Sequence, residues 1–159
     1  MRTIALLAAL TALSIPARAH DSGGRLAAES NLSAAARDAA AAVDAFHAAL
    51  RRGDTRSAAA LLVYDALIFE EGGAERSKAD YVSQHLPADA AFSHVVSSTV
   101  TRRSGGSNGV FSWIASEGQM TGTYEGKAID RRTTETMLLR RVGAKWKIVH
   151  IHWSSAARR

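Results

Sequence analysis

His150 and His152 stand two residues apart near the end of the chain, in KWKIVHIHWSS. Residues two apart on a strand project from one face. Alternation therefore places Trp146, Ile148, His150 and His152 together, and Lys147, Val149, Ile151 and Trp153 on the other side. The lysine marks the second face as the wetter one, so the two imidazoles are expected to point inward. Imidazole exchanges a proton near neutral pH and ligates metals. The competing reading is two solvated histidines, or one packed for structure. Glu135 lies mid-strand in TTETMLL, among residues that suit burial. A carboxylate there is costly unless paired. It could be a general base, a metal ligand, a group that orients a histidine, or half of a cross-strand salt bridge with a nearby arginine. Glu70 and Glu71 end an apolar strand and point to opposite faces. Glu70, which shares its face with Ile68 and Ala66, is the better candidate for an inner position.

His85 is one helical turn beyond Tyr81, so their side chains overlap on one helix face. A helix-end histidine stabilised by the dipole is the alternative for His85. Trp113, Tyr124, Tyr81 and Ile148 are the expected pocket wall, although core packing explains them too. His85, His150, His152, Glu70 and Glu135 could then converge in one cavity. Carboxylate beside imidazole suffices for acid–base catalysis. The same donors, above all His85, His150 and His152, would suit a nitrogen and oxygen metal site such as zinc. No phosphate loop or dinucleotide fingerprint is present, so no cofactor is expected beyond a possible metal ion. The chain has no cysteine, which excludes thiolate chemistry and disulfides.

These residues must be positioned by a small number of elements. Residues 33–51 are alanine-rich, the composition of a good helix, with Ala39, Val43, Phe46 and Leu50 along one face. Asn31 or Ser33 can cap it. Gly53 ends it and Asp54 can cap a second helix from Thr55 to about Leu62. Ala66 to Glu71 reads as a strand closed by Gly72-Gly73. Ser77 and Asp80 match an acidic capping box, which opens a third helix that runs from Lys78 to Leu86 and stops before Pro87. From Phe92 onward β-branched and aromatic residues predict about four antiparallel strands. Gly105-Gly106, Asn108-Gly109 and Gly143 mark turns, and Gly118 marks a bulge or bend. Helices gathered before an antiparallel sheet give an α+β fold, with the helices packed on one face of a strongly curved sheet. Curling of that sheet would form a cone with an internal pocket.

The first 19 residues read differently. Arg2 precedes a run of apolar and small residues from Ile4 to Ile15, then Pro16 and Ala17-Arg18-Ala19. This is the pattern of a cleaved secretory signal, so a periplasmic or secreted location is expected. An uncleaved N-terminal anchor is the alternative. Residues 20–31 read as a flexible lead, 32–155 as the domain and 156–159 as a basic tail. The net charge is +5, with much of the excess in arginine pairs such as Arg102-Arg103, Arg131-Arg132 and Arg140-Arg141. No aromatic-rich basic stripe accompanies them, so they read as solvated ends rather than a nucleic-acid surface. No membrane partner is expected once the signal is removed.

Four stretches resemble the nuclear transport factor 2-like superfamily, which includes the SnoaL-like cyclases and ketosteroid isomerases. They are Ala49-Leu50 with Gly53-Asp54, the segment from Ala66 to Asp89, MTGTYEGKAID followed by TTETMLLRR, and KWKIVHIHWSS. The resemblance is to exported members of unknown function. It implies a cone with a ligand cavity, a small-molecule ligand and commonly a homodimer formed through the sheet. It does not choose between an acid–base enzyme, a metal-binding module and a non-catalytic dimerisation module. For a dimer, Val149, Ile151 and Trp153 are the expected outer-face residues.

Overall fold

The computed structural model describes residues 29–158, so the signal-like segment and most of the lead lie outside the described residues. The elements are β1 (Glu29–Leu32), a short 3-10 turn (Ala34–Ala36), α1 (Arg37–Arg51), α2 (Thr55–Leu61), β2 (Leu62–Glu70), β3 (Gly73–Glu75), α3 (Lys78–Gln84), α4 (Leu86–Val95), β4 (Ser97–Ser107), β5 (Phe111–Tyr124), β6 (Lys127–Val142) and β7 (Lys145–Ala157). One seven-stranded sheet has the order β1-β4-β5-β6-β7-β2-β3. Strands β4 to β7 run antiparallel, whereas β1 joins β4 and β2 joins β7 in parallel. The α+β cone is as the sequence implied. Residues 29–31, read as part of the lead, belong to β1.

The local signals explain the helices. Asp54 accepts the Ser57 N–H at 3.0 Å and Ser77 accepts the Asp80 N–H at 3.0 Å, so these two expected caps form, whereas Ser33 makes no side-chain cap and α1 starts after Ala36. Helix α1 buries Ala39, Val43, Phe46, Ala49 and Leu50 against the sheet. They meet Ile114, Met137, Leu139, Ile148 and Ile151 from β5, β6 and β7. These apolar faces exclude water over the middle of the sheet and supply most of its cohesion.

Three sequence expectations fail for identifiable reasons. Pro87 does not end helical structure; it starts α4, whose first turn needs no proline N–H. Phe92 to Val95 therefore lie on a helix, not a strand. Strand β2 begins at Leu62, four residues before the expected start. Gly105-Gly106 lie inside β4 rather than at a turn. A Cβ on Gly105 would meet Leu32 Cδ2 at 2.7 Å and the Trp113 carbonyl at 2.8 Å, so glycine lets β1 and β5 close over β4. The turn itself is at Asn108, whose Oδ1 accepts the Val110 and Phe111 N–H groups.

Curvature comes from interrupted register. The β4–β5 pairing shifts between Val100 and Arg102, opposite Gly118 and Glu117. The β6–β7 pairing shifts between Leu138 and Leu139, whose partners are His150 and Ile148. Val149 is thus an extra residue in β7, a β-bulge. Strands bend at such points, and side-chain alternation resumes in the opposite phase.

Candidate functional site

The Val149 bulge decides which residues of β7 look inward. Before it, Trp146 and Ile148 are buried; after it, Ile151 is buried and Trp153 half-buried. His150 and His152 therefore lie on the outer face, reversing the expectation for them and for Ile151 and Trp153. Both rings pack edge-on to Phe69, which is itself exposed. The His150 Nδ1–H donates to the Leu67 carbonyl at 2.8 Å. Glu135 and His150 face opposite sides of the sheet, so no dyad joins them.

Glu135 points inward and is 9 % exposed. Its partner is a residue the sequence reading passed over. His47 of α1 places Nε2 at 2.7 Å from Glu135 Oε2. The same oxygen accepts the Trp153 indole N–H at 2.8 Å. Burial alone would raise this carboxyl, but the His47 imidazole, the two hydrogen bonds and the Arg103 charge outweigh it and hold the carboxyl below the ordinary value. An ionised carboxylate only accepts hydrogen bonds, so His47 Nε2 carries a proton toward Glu135. His47 is 30 % exposed, which leaves the imidazole within reach of solvent or a ligand. Its spacing offered a signal: four residues after Val43, it borders the buried stripe of α1.

Register aligns the site across five strands. Arg103 of β4 pairs with Ser116 of β5, Ser116 with Glu135 of β6, Glu135 with Trp153 of β7, and Trp153 with Glu70 of β2. Glu70 and Glu135 thus flank Trp153, about 10 Å apart at two strand spacings. Glu70 has inward parity, as expected, and stays accessible at the rim. Partial burial, then the neighbouring carboxylates Asp89 and Glu71, raise its pKa from 4.5 to about 7, with His85 opposing. Tyr81 is fully buried and donates to Asp89 Oδ2 at 2.6 Å. Burial raises the Asp89 carboxyl, against the Tyr81 hydrogen bond and the His85 charge. Burial and Asp89 likewise hold the Tyr81 phenol well above its usual range. His85 is at the corner between α3 and α4, where its Nδ1 pairs with the buried Glu75 of β3.

Phe46 stacks on Trp153 at 6.3 Å between centroids, and Tyr81 tilts against the same indole at 6.5 Å. Phe46, Trp153 and Tyr81 thus form an aromatic cluster beside Glu135. Of the four residues expected to wall a pocket, Tyr81 is fully buried within this cluster. Trp113 is on the outer face, 46 % exposed. Tyr124 packs on Phe92, and Ile148 belongs to the closed core. Two recesses elsewhere, of 290 Å³ beside Trp146 and 600 Å³ beside Ser97, include none of these site residues.

The histidines expected to share a metal are separated: His85 is at the rim, His150 and His152 outside. Among the described residues no three histidine, aspartate or glutamate side chains are placed to hold one ion. The donor set does not fit a metal centre. What the arrangement can do is hold one carboxylate ionised beside an imidazole while a second carboxyl on the same face titrates near neutrality. Such a divergence separates acid and base roles.

The raised Glu70 pKa also carries a stability consequence. Between the ordinary value and about 7 the folded chain keeps a proton that the unfolded chain has released. Stability therefore falls as pH rises through that window. Glu70→Gln should leave urea unfolding unchanged near pH 4 and raise stability at pH 8 by up to about 1 kcal/mol, because solvent screens this rim position.

Residues 39–158 match the SnoaL-like domain family. No curated protein matches. Among solved structures, a candidate ketosteroid isomerase from Shewanella frigidimarina is 31 % identical, with a TM-score of 0.72 over 78 % of this chain and 99 % of that one. A candidate dehydratase of the nuclear transport factor 2-like family from Streptomyces avermitilis is 14 % identical, with a TM-score of 0.67 over 78 % and 97 %. A candidate calcium/calmodulin-dependent kinase association domain from Xanthomonas campestris is 21 % identical, with a TM-score of 0.66 over 76 % and 87 %. The last two share the fold alone.

Proposed function

We propose that this chain, which belongs to the SnoaL-like domain family of the nuclear transport factor 2-like superfamily, binds a small, partly apolar molecule on its concave face and moves a proton on it. Solved members of the superfamily carry isomerase and dehydratase descriptions. The observation that carries the reading is the pair of carboxyls flanking Trp153, with Glu135 held ionised beside His47 and Glu70 near pH 7. In this reading His47 accepts a proton at Nδ1, and Glu135 fixes the tautomer and steadies the imidazolium that forms. Glu70, in its protonated form, returns a proton to the substrate from along the sheet. The half-buried Trp153 indole, backed by Phe46, gives a flat apolar ring something to lie against.

The probe is a β,γ-unsaturated cyclic ketone, whose conversion to the conjugated enone is followed by ultraviolet absorbance. The reading expects a rate above that of buffer, falling as pH rises through about 7 as Glu70 loses its proton. No rate above buffer with a β,γ-unsaturated ketosteroid or its cyclohexenone analogue would count against isomerisation. Unaltered activity in Glu135→Gln would remove Glu135 from the chemistry.

A second reading concerns a partner. Trp113, Leu138, His150 and Leu67 form one register row on the outer face. With Phe111 beside them, they make an exposed apolar strip of the kind that marks an association surface. We propose a homodimer through this strip, in place of the Val149, Ile151 and Trp153 surface that alternation suggested. Leu138→Lys should convert a dimer to a monomer in sedimentation equilibrium without loss of helical circular dichroism. A wild-type monomer at micromolar concentration would contradict it.

A further inference from the structure

We infer that Arg103 is a positioning residue for the concave site: it ties α1 to the sheet and supplies a fixed positive charge at one end of the row that contains Glu135. In the sequence Arg103 is half of an arginine pair that reads as a solvated end. In the structure its side chain is only 12 % exposed. Its Nη1 donates to Asp44 Oδ1 at 2.6 Å, and its Nε donates to Ser116 Oγ at 3.2 Å. Ser116 is buried and is the cross-strand partner of both Arg103 and Glu135.

The geometry couples two roles. Asp44 and His47 are three residues apart on α1, hence on one helix face. A guanidinium held by Ser116 on the sheet and by Asp44 on the helix sets the approach of α1. That same approach brings His47 to Glu135. An ordinary exposed ion pair contributes little. Here the guanidinium is mostly buried, always charged and anchored at two points. The charged and titratable groups around Glu135 are His47 and Asp44 from α1, Arg103 from β4 and Glu70 of β2 beyond Trp153. Tyr81 of α3 tilts against that indole and donates to Asp89 of α4. Of these, Arg103 is the group whose positive charge cannot titrate away, and it helps to keep Glu135 ionised.

The inference rests on the proton-transfer reading for its functional meaning, but its test needs no substrate. The Trp153 indole N–H donates to Glu135 and so reports the charge of that carboxyl. Its nitrogen–proton NMR signal, assigned by comparison with Trp153→Phe, is followed from about pH 3 to 7 across the glutamate range. In wild type the midpoint should lie below the ordinary glutamate value. In Arg103→Gln it should rise by at least about half a pH unit. Arg103→Lys, which keeps the charge but not the planar two-point anchor, should restore only part of the difference. If the glutamine variant does not fold, Arg103→Met keeps the stem packed and carries the same expectation. An unchanged midpoint in the neutral variant, or full restoration by lysine, overturns the assignment. A normal titration pattern with no ketone turnover in wild type would instead sink the proton-transfer reading and leave the positioning role standing.

Discussion

Glu135→Gln should lower turnover of a β,γ-unsaturated ketone by about 10²–10⁴-fold, the range general acid–base groups supply, while costing less stability than a change that leaves its two donors unpaired. The amide oxygen can still accept from both His47 Nε2 and the Trp153 indole, which now reach one carboxylate oxygen at 2.7 and 2.8 Å. The packing survives, but the charge that fixes the His47 tautomer and stabilises its protonated form is gone. Glu135→Leu should behave differently. It leaves two inward donors without an acceptor, at about 1–3 kcal/mol each. Initial rates and urea unfolding of the two variants, measured side by side, separate chemistry from folding. Equal rates in wild type and the glutamine variant would show that the carboxylate has no part in proton transfer.

The second large effect is on stability. Phe46→Ala should cost about 3–5 kcal/mol, as for large aromatic side chains removed from a core. Phe46 is fully buried, stacked on Trp153 and edge-on to His47 at 5.8 Å. Total stability of a domain of this size is about 5–15 kcal/mol, so the loss takes a large share of it. Urea denaturation followed by circular dichroism checks it. The change would also loosen both contacts that hold the Glu135 cluster, so turnover should fall even where the variant remains folded. A cost under about 1 kcal/mol would mean that α1 is not anchored through this ring.

Local chemistry was legible in the residues. Asp54 and Ser77 announced their helices by side-chain type, and Asn108-Gly109 and Gly143 announced the turns between strands. Glu135 was recognisable because a carboxylate amid TTETMLL must be paired. Its partner was not, since His47 lies 88 residues away and only the docking of α1 brings it close. The single-residue bulge at Val149 carries no composition signal, yet it exchanges the faces of His150, His152, Ile151 and Trp153. A strict period of two cannot anticipate that change of phase. Pro87 misled for a related reason: the same residue that ends one helix is well suited to begin another. Glu70 was placed inward by parity, but its raised pKa depends on partial burial and then on Asp89 of α4, which no pattern within β2 contains.

The central claim is that one concave face holds two carboxyls in different protonation states near neutral pH. Carbon-13 NMR titration of the glutamate side-chain carboxyls tests this most directly, with Glu70→Gln and Glu135→Gln providing the assignments. The Glu70 signal should titrate at about 7, and the Glu135 signal below the ordinary glutamate value. Both signals titrating together near the unperturbed value of about 4.3 would contradict it.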